Sequence, residues 1–82
     1  MADLKIRIYE GKKKEPEKTI TIPGGILKLA SRLVPKKAAA FLEEKGIDVK
    51  EIIELSQQPD VHGTLVEVEE HKKNERIIIS VE

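Results

Sequence analysis

The chain has 82 residues, with fifteen Lys and Arg side chains balanced by fifteen Asp and Glu side chains, and it contains no cysteine. A chain of this length has room for one hydrophobic core, so a single domain over residues 1–82 is predicted and a large cleft between domains is not expected. The lack of cysteine excludes disulfides, thiolate metal sites and a cysteine nucleophile.

Two strands are predicted at the start of the chain. Apolar and polar residues alternate over residues 4–9 and again over residues 19–22, which is the period of two typical of a half-buried strand. The charged segment between them contains Gly11 and Pro16. The two strands are therefore expected to form a hairpin with a long loop.

A first short helix is predicted after this hairpin. Pro23-Gly24-Gly25 ends the strand pattern, and from Ile26 the apolar spacing becomes helical. Pro35 ends or kinks this helix, because the residue before a proline is pushed away from helical angles. The side chains that it is predicted to turn toward the core are Ile26, Leu29, Ala30, Leu33 and Val34.

Two more helices are predicted before the chain returns to strands. Good helix formers occupy residues 36–45, and Gly46 suits the left-handed C-terminal cap of that segment. Asp48 and Glu51 have the spacing of a capping box, so a third helix is predicted over residues 49–57. Its buried side chains are expected to be Val49, Ile52 and Ile53.

Two last strands complete the predicted architecture. Strand patterns cover residues 64–69 and 76–82, with a polar turn between them. The order ββαααββ indicates an α+β fold: a two-layer sandwich in which short helices cover one face of a four-stranded, mainly antiparallel sheet.

The face of the sheet that the helices leave open has two interpretations. Lys5, Arg7 and Arg76 could pair across strands with Glu67 and Glu69, which would make it an ordinary solvated face. Alternatively, an apolar island on this face docks a partner or a second copy of the chain. That island would consist of Tyr9, Leu65 and Ile78.

The net charge of zero conceals a separation along the chain. Residues 1–42 contain ten basic and four acidic side chains, a net charge of +6, whereas residues 43–82 contain five basic and eleven acidic ones, a net charge of −6. Either the two halves neutralise each other inside one fold, or the separation acts on a charged partner.

No catalytic, cofactor or metal site is predicted. His62 and His71 are the only imidazoles and lack a metal-ligand spacing, and no serine stands in a glycine-framed nucleophile motif. An enzyme is therefore not expected. A basic surface formed by Lys28, Arg32, Lys36 and Lys37 is the candidate for contacts with an anion or with nucleic acid phosphates.

Nucleic acid binding is the alternative function rather than the preferred one. The net charge is zero, and Tyr9, taken as the single exposed ring, cannot form a stacking platform for bases.

Several short segments of the chain resemble a known family, the C-terminal domain of the small bacterial proteins called SHOCT-like. The segments are Ile6–Ile8, Ile20–Pro23, Gly25–Leu29, Gly63–Val68 and Glu75–Glu82. The resemblance implies a bacterial origin and an accessory or interaction role, and it brings no catalytic residues. Residues 35–59 have no counterpart in that pattern.

We therefore expect a cytoplasmic, non-enzymatic interaction or self-association module without a cofactor. A protein partner or a homodimer is the expected assembly, through a strand edge or the open sheet face, and no membrane segment is predicted. The large share of charged residues, 37%, with few Asn and Gln, hints at a heat-adapted source.

Overall fold

The computed structural model describes residues 2–82 and confirms the predicted α+β class and order of elements. The strands are β1 (Leu4–Glu10), β2 (Lys18–Ile22), β3 (Gly63–Glu70) and β4 (Glu75–Val81). Between the two hairpins lie a 3-10 helix (Gly24–Leu29), α1 (Ala30–Leu33), α2 (Lys36–Glu44) and α3 (Val49–Ser56).

The four strands form one antiparallel sheet in the order β2-β1-β4-β3. The first and last strands of the chain are therefore the two central ones, and Arg7 on β1 is the register partner of Ile78 on β4. Because β4 separates β1 from β3, side chains of β1 and β3 are not cross-strand neighbours. This order explains which charges meet on the open face.

The helices cover one face of the sheet and enclose the core. Alternate residues of β1 and β4 point into it, and Leu4, Ile6, Ile77 and Ile79 are each at most 3% exposed. Leu42 of α2 is fully buried against them. The Asp3 carboxylate accepts a hydrogen bond of 3.1 Å from the Gly24 amide, which ties the start of β1 to the helical layer.

The predicted stripe of the first helix is wrong in part, because the segment starts as a 3-10 helix. Ile26 has φ −121° and ψ 20°, outside the helical region, and α1 is only four residues long. In a 3-10 turn residues three apart are eclipsed, so Leu27 and Ala30 share the buried side. Ile26, Leu29 and Leu33 remain exposed, Val34 is half-buried, and only Ala30 of the predicted stripe is fully buried.

The other two helices follow their sequence signals closely. Gly46 has φ +78° after α2, the left-handed conformation that favours glycine. The Asp48 side chain caps α3 by accepting a hydrogen bond of 2.9 Å from the Lys50 amide. α3 buries Ile52 and Ile53, as predicted, and Val49 is half-buried.

Candidate interaction surface

A charged network lies on the open face of the sheet, where β1 and β4 are neighbours. The Arg7 guanidinium donates hydrogen bonds to both carboxylate oxygens of Glu82 and, at 3.1 Å, to the Ser80 hydroxyl. The Ser80 hydroxyl in turn donates to Glu82 at 2.6 Å, and the Lys5 ammonium lies 3.9 Å from the same carboxylate.

This network shifts the pKa values of Arg7 and Glu82. Hydrogen bonds from Arg7 and then from Ser80 lower the pKa of Glu82 from 4.5 to about 2. The hydrogen bond to Glu82 raises the pKa of Arg7 above its ordinary value. Each charge stabilises the other, so Glu82 stays ionised at pH values well below its ordinary pKa.

The expected pairing of the open-face cations with Glu67 and Glu69 is wrong for Lys5 and Arg7. Both contact Glu82 instead, because β4 and not β3 is the neighbour of β1. Arg76 is the register partner of Glu69, but no ion pair joins them within residues 2–82.

Tyr9 is not an exposed ring. Only 8% of it is accessible, and the Arg76 guanidinium lies over the ring with Cζ 4.2 Å from the centroid. This is a cation–π contact between register partners on β1 and β4. The Nε of Arg76 is buried and has no hydrogen-bond partner within residues 2–82.

Leu65 and Ile78 do not complete an apolar island with Tyr9. The register between β3 and β4 shifts between Thr64 and Val66, so Leu65 is the extra residue of an irregularity, and it packs against the core. Ile78 is also half-buried, but it is not among the groups that pack against the core. Binding of a partner to this face stays a prediction, although the structure leaves little apolar area for it.

The exposed apolar side chains lie on the helical layer instead. Within residues 2–82 the large hydrophobic side chains that are exposed are Ile26 (42%), Leu29 (49%), Leu33 (44%) and Leu55 (47%). Three belong to the 3-10 helix and α1, and the fourth belongs to α3, which packs against both. We call these four residues the apolar patch.

The predicted basic surface lies beside the apolar patch. Lys28, Arg32, Lys36 and Lys37 are all exposed. The Lys37 ammonium lies 3.8 Å from a Glu10 carboxylate oxygen, but the other three form no ion pair with any residue in the range 2–82. Three positive charges are therefore uncompensated next to exposed leucines.

Sequence reasoning missed the apolar patch because it assigned three of its members to the core. The nearest sequence signal is Gly24-Gly25 after Pro23, because glycine weakens a regular α-helical first turn. Glu82 was missed as the partner of Arg7 because the strand order does not follow from the sequence pattern.

The two histidines lie apart from any group of potential metal ligands in the described part of the chain. Across residues 2–82 no three His, Asp or Glu side chains are grouped as metal ligands. His71 lies on the surface with its Nε2 3.9 Å from Glu69, and His62 lines a groove of about 680 Å³ beside Ser56 and Gly25. No helix in this range is long and apolar enough to span a bilayer.

The fold and this surface define a small α+β domain with a charged sheet face and an exposed apolar patch on its helical layer. The chain belongs to the family described as YvlB-like protein, C-terminal domain, whose model matches residues 3–80. The resemblance to a SHOCT-like domain is therefore wrong: the motifs that suggested it are short apolar segments, four of them on strands and one, Gly25–Leu29, in the 3-10 helix. No curated protein and no solved structure matches the chain.

Proposed function

We propose that this domain is a non-enzymatic protein interaction module that binds through the apolar patch. The observation that supports this proposal is the exposure of four large aliphatic side chains, each 42% to 49% accessible, on helices that contact one another. Burying them on a partner would release water from apolar surface, which is the main driving force of protein association.

The helical layer is a better docking surface than the open sheet face. On the sheet, Tyr9 is covered by Arg76 and Leu65 packs inward, so those groups have little apolar area left to offer. The sheet edges are also poorly suited. β2 has five residues, and the longer edge strand β3 carries Glu67 and Glu69, charges that disfavour pairing with another strand.

Binding of nucleic acid through Lys28, Arg32 and Lys36 is the alternative proposal. The lack of ion-pair partners for these cations within residues 2–82 supports it, whereas the burial of Tyr9 removes the only tyrosine that could stack on a base. Contacts with phosphates weaken steeply as salt increases. Duplex DNA titrated at low and moderate salt therefore tests this alternative.

Capture by the immobilised chain tests the interaction proposal. The baits are the native chain, the double variant Leu29→Asn/Leu33→Asn, and a matched control, Lys12→Asn/Lys14→Asn, in the exposed loop after β1. Proteins from cells of the source organism are quantified on each bait by mass spectrometry. Circular dichroism first establishes that all three baits are folded.

We expect proteins that the native and control baits retain and that the patch variant loses. Equal retention by all three folded baits would refute binding through the apolar patch. If only the loop variant loses retained proteins, the binding surface lies at the hairpin loop and not at the apolar patch.

A further inference from the structure

The helices that carry the apolar patch also carry charges of opposite sign at its two sides. Arg32 is three residues after Leu29, so the two side chains lie on the same side of the helical segment. Glu51 is four residues before Leu55 and shares its face of α3. The patch therefore has a basic side on α1 and an acidic side on α3.

These opposite charges do not neutralise each other inside the chain. α1 and α3 pack against one another, and Arg32 and Glu51 are both exposed. Even so, neither they nor the neighbouring Lys28 and Glu54 belong to any ion pair within residues 2–82. Both sets of charges remain available to a partner.

We propose that the occupant of the apolar patch is a second copy of this chain, related by a two-fold axis that sets α1 of each copy against α3 of the other. This inference rests on the proposed function and names its partner. In a two-fold interface, if residue i of one copy contacts residue j of its partner, then j also contacts i. A surface with a basic side and an acidic side is self-complementary under that rotation.

The same rotation gives each leucine an apolar neighbour. Leu29 and Leu33 of one copy meet Leu55 of the other, while Arg32 of each copy faces Glu51 of its partner. The zero net charge of the chain adds no long-range repulsion between copies.

Sedimentation equilibrium of the purified chain, at protein concentrations up to about 1 mM, measures this association even if it is weak. We expect a reversible monomer–dimer equilibrium. Arg32→Glu alone and Glu51→Arg alone should each weaken the dimer about tenfold or more, because each creates two like-charge contacts per dimer. The matched controls Lys14→Glu and Glu15→Arg change the charge equally in the exposed loop and should leave the equilibrium unchanged.

Mixing the two single variants gives the decisive result. In a heterodimer of the Arg32→Glu chain with the Glu51→Arg chain, both contacts again join opposite charges, so the mixture should associate more tightly than either variant alone. The double variant Arg32→Glu/Glu51→Arg should likewise regain the native association. Misfolding of either variant cannot produce this recovery.

Three results would overturn the proposal: a chain that is monomeric at every concentration, variants that do not differ from their loop controls, or a mixture that associates no better than its components. If the purified chain is monomeric while capture still depends on Leu29 and Leu33, the proposed function stands and the partner is a different protein. If the chain is monomeric and capture does not depend on the apolar patch, both the proposed function and the proposed dimer are refuted.

Discussion

Alanine replacement of Leu27 and Leu29, one at a time, should separate a buried leucine from an exposed one within a single 3-10 helix. Leu27 is 6% exposed and belongs to the core, whereas Leu29 is 49% exposed. The sequence pattern predicts the reverse for Leu29, since it places that residue on the core stripe. The pair is matched in residue type and in helix.

The expected losses of unfolding free energy follow from this burial. A buried Leu→Ala change removes apolar contact and leaves a cavity, which costs about 2–5 kcal/mol. Full burial of a leucine side chain contributes about 1.5–3 kcal/mol, and about half of Leu29 remains in water, so Leu29→Ala should cost about 1 kcal/mol. The difference between the two variants should exceed about 1 kcal/mol.

Urea unfolding followed by circular dichroism measures both variants, at a protein concentration low enough to keep the chain monomeric. Equal losses for Leu27→Ala and Leu29→Ala under these conditions would refute the orientation of the 3-10 helix. At high concentration the loss for Leu29→Ala should grow, because the proposed dimer buries that side chain and stabilises the folded state by mass action.

Three further predictions concern two contacts on the sheet and the N-terminal cap of α3. The folded pKa of Glu82, about 2, lies below its ordinary value of 4.5, so its contribution to stability is present above pH 4.5 and is lost as the pH falls toward 2. Glu82→Gln should therefore flatten that part of the stability profile measured by urea unfolding, and an unchanged profile would contradict the contact with Arg7. Asp48→Ala should lower the unfolding free energy by about 1 kcal/mol, because it removes the cap of α3; a loss within the error of the urea measurement would count against the cap. Tyr9 is the only tyrosine and the chain has no tryptophan, so iodide quenching of tyrosine fluorescence reports on that ring alone. Arg76→Ala should increase the quenching because it uncovers Tyr9, and equal quenching before and after the change would refute the cation–π contact.

The class of fold and most element boundaries could be predicted from the sequence because their signals are local. Strand alternation, Gly46 with its positive φ and the Asp48 cap each depend on residues within one turn or one strand. The predicted third helix ends one residue later than α3, whose last residue is Ser56. Errors of this size are ordinary because helix ends fray.

The candidate site could not be predicted in the same way because it depends on nonlocal geometry. The contact between Arg7 and Glu82 requires β1 and β4 to be neighbours, and their strand patterns are equally compatible with other orders. The packing of Leu65 against the core requires a shift of register between β3 and β4, and no residue of β3 predicts that shift. The strand order and the register shift both determine which side chains face water, and therefore which surface is available to a partner.

The outward position of Leu29 has a more specific cause. A 3-10 turn advances 120° per residue and an α-helix about 100°, so over a few residues the two geometries aim the same apolar positions at different neighbours. Because the segment has Pro23 as its N-cap residue and is irregular at Ile26, the α-helical spacing does not apply to its first turn. The exposure of Ile26 and Leu29, two members of the apolar patch, follows from that change of period.

In the part of the chain that the structure describes, the basic half, residues 1–42, forms few ion pairs with the acidic half, residues 43–82. Within residues 2–82, the ion pairs that join the basic half to the acidic half all involve Glu82, which contacts Lys5 and Arg7. The remaining ion pairs form within one half, as between Lys45 and Glu70 at 2.6 Å. Internal pairing therefore neutralises little of the +6 and −6, and a two-fold dimer would bring the unpaired charges of α1 and α3 together across the interface.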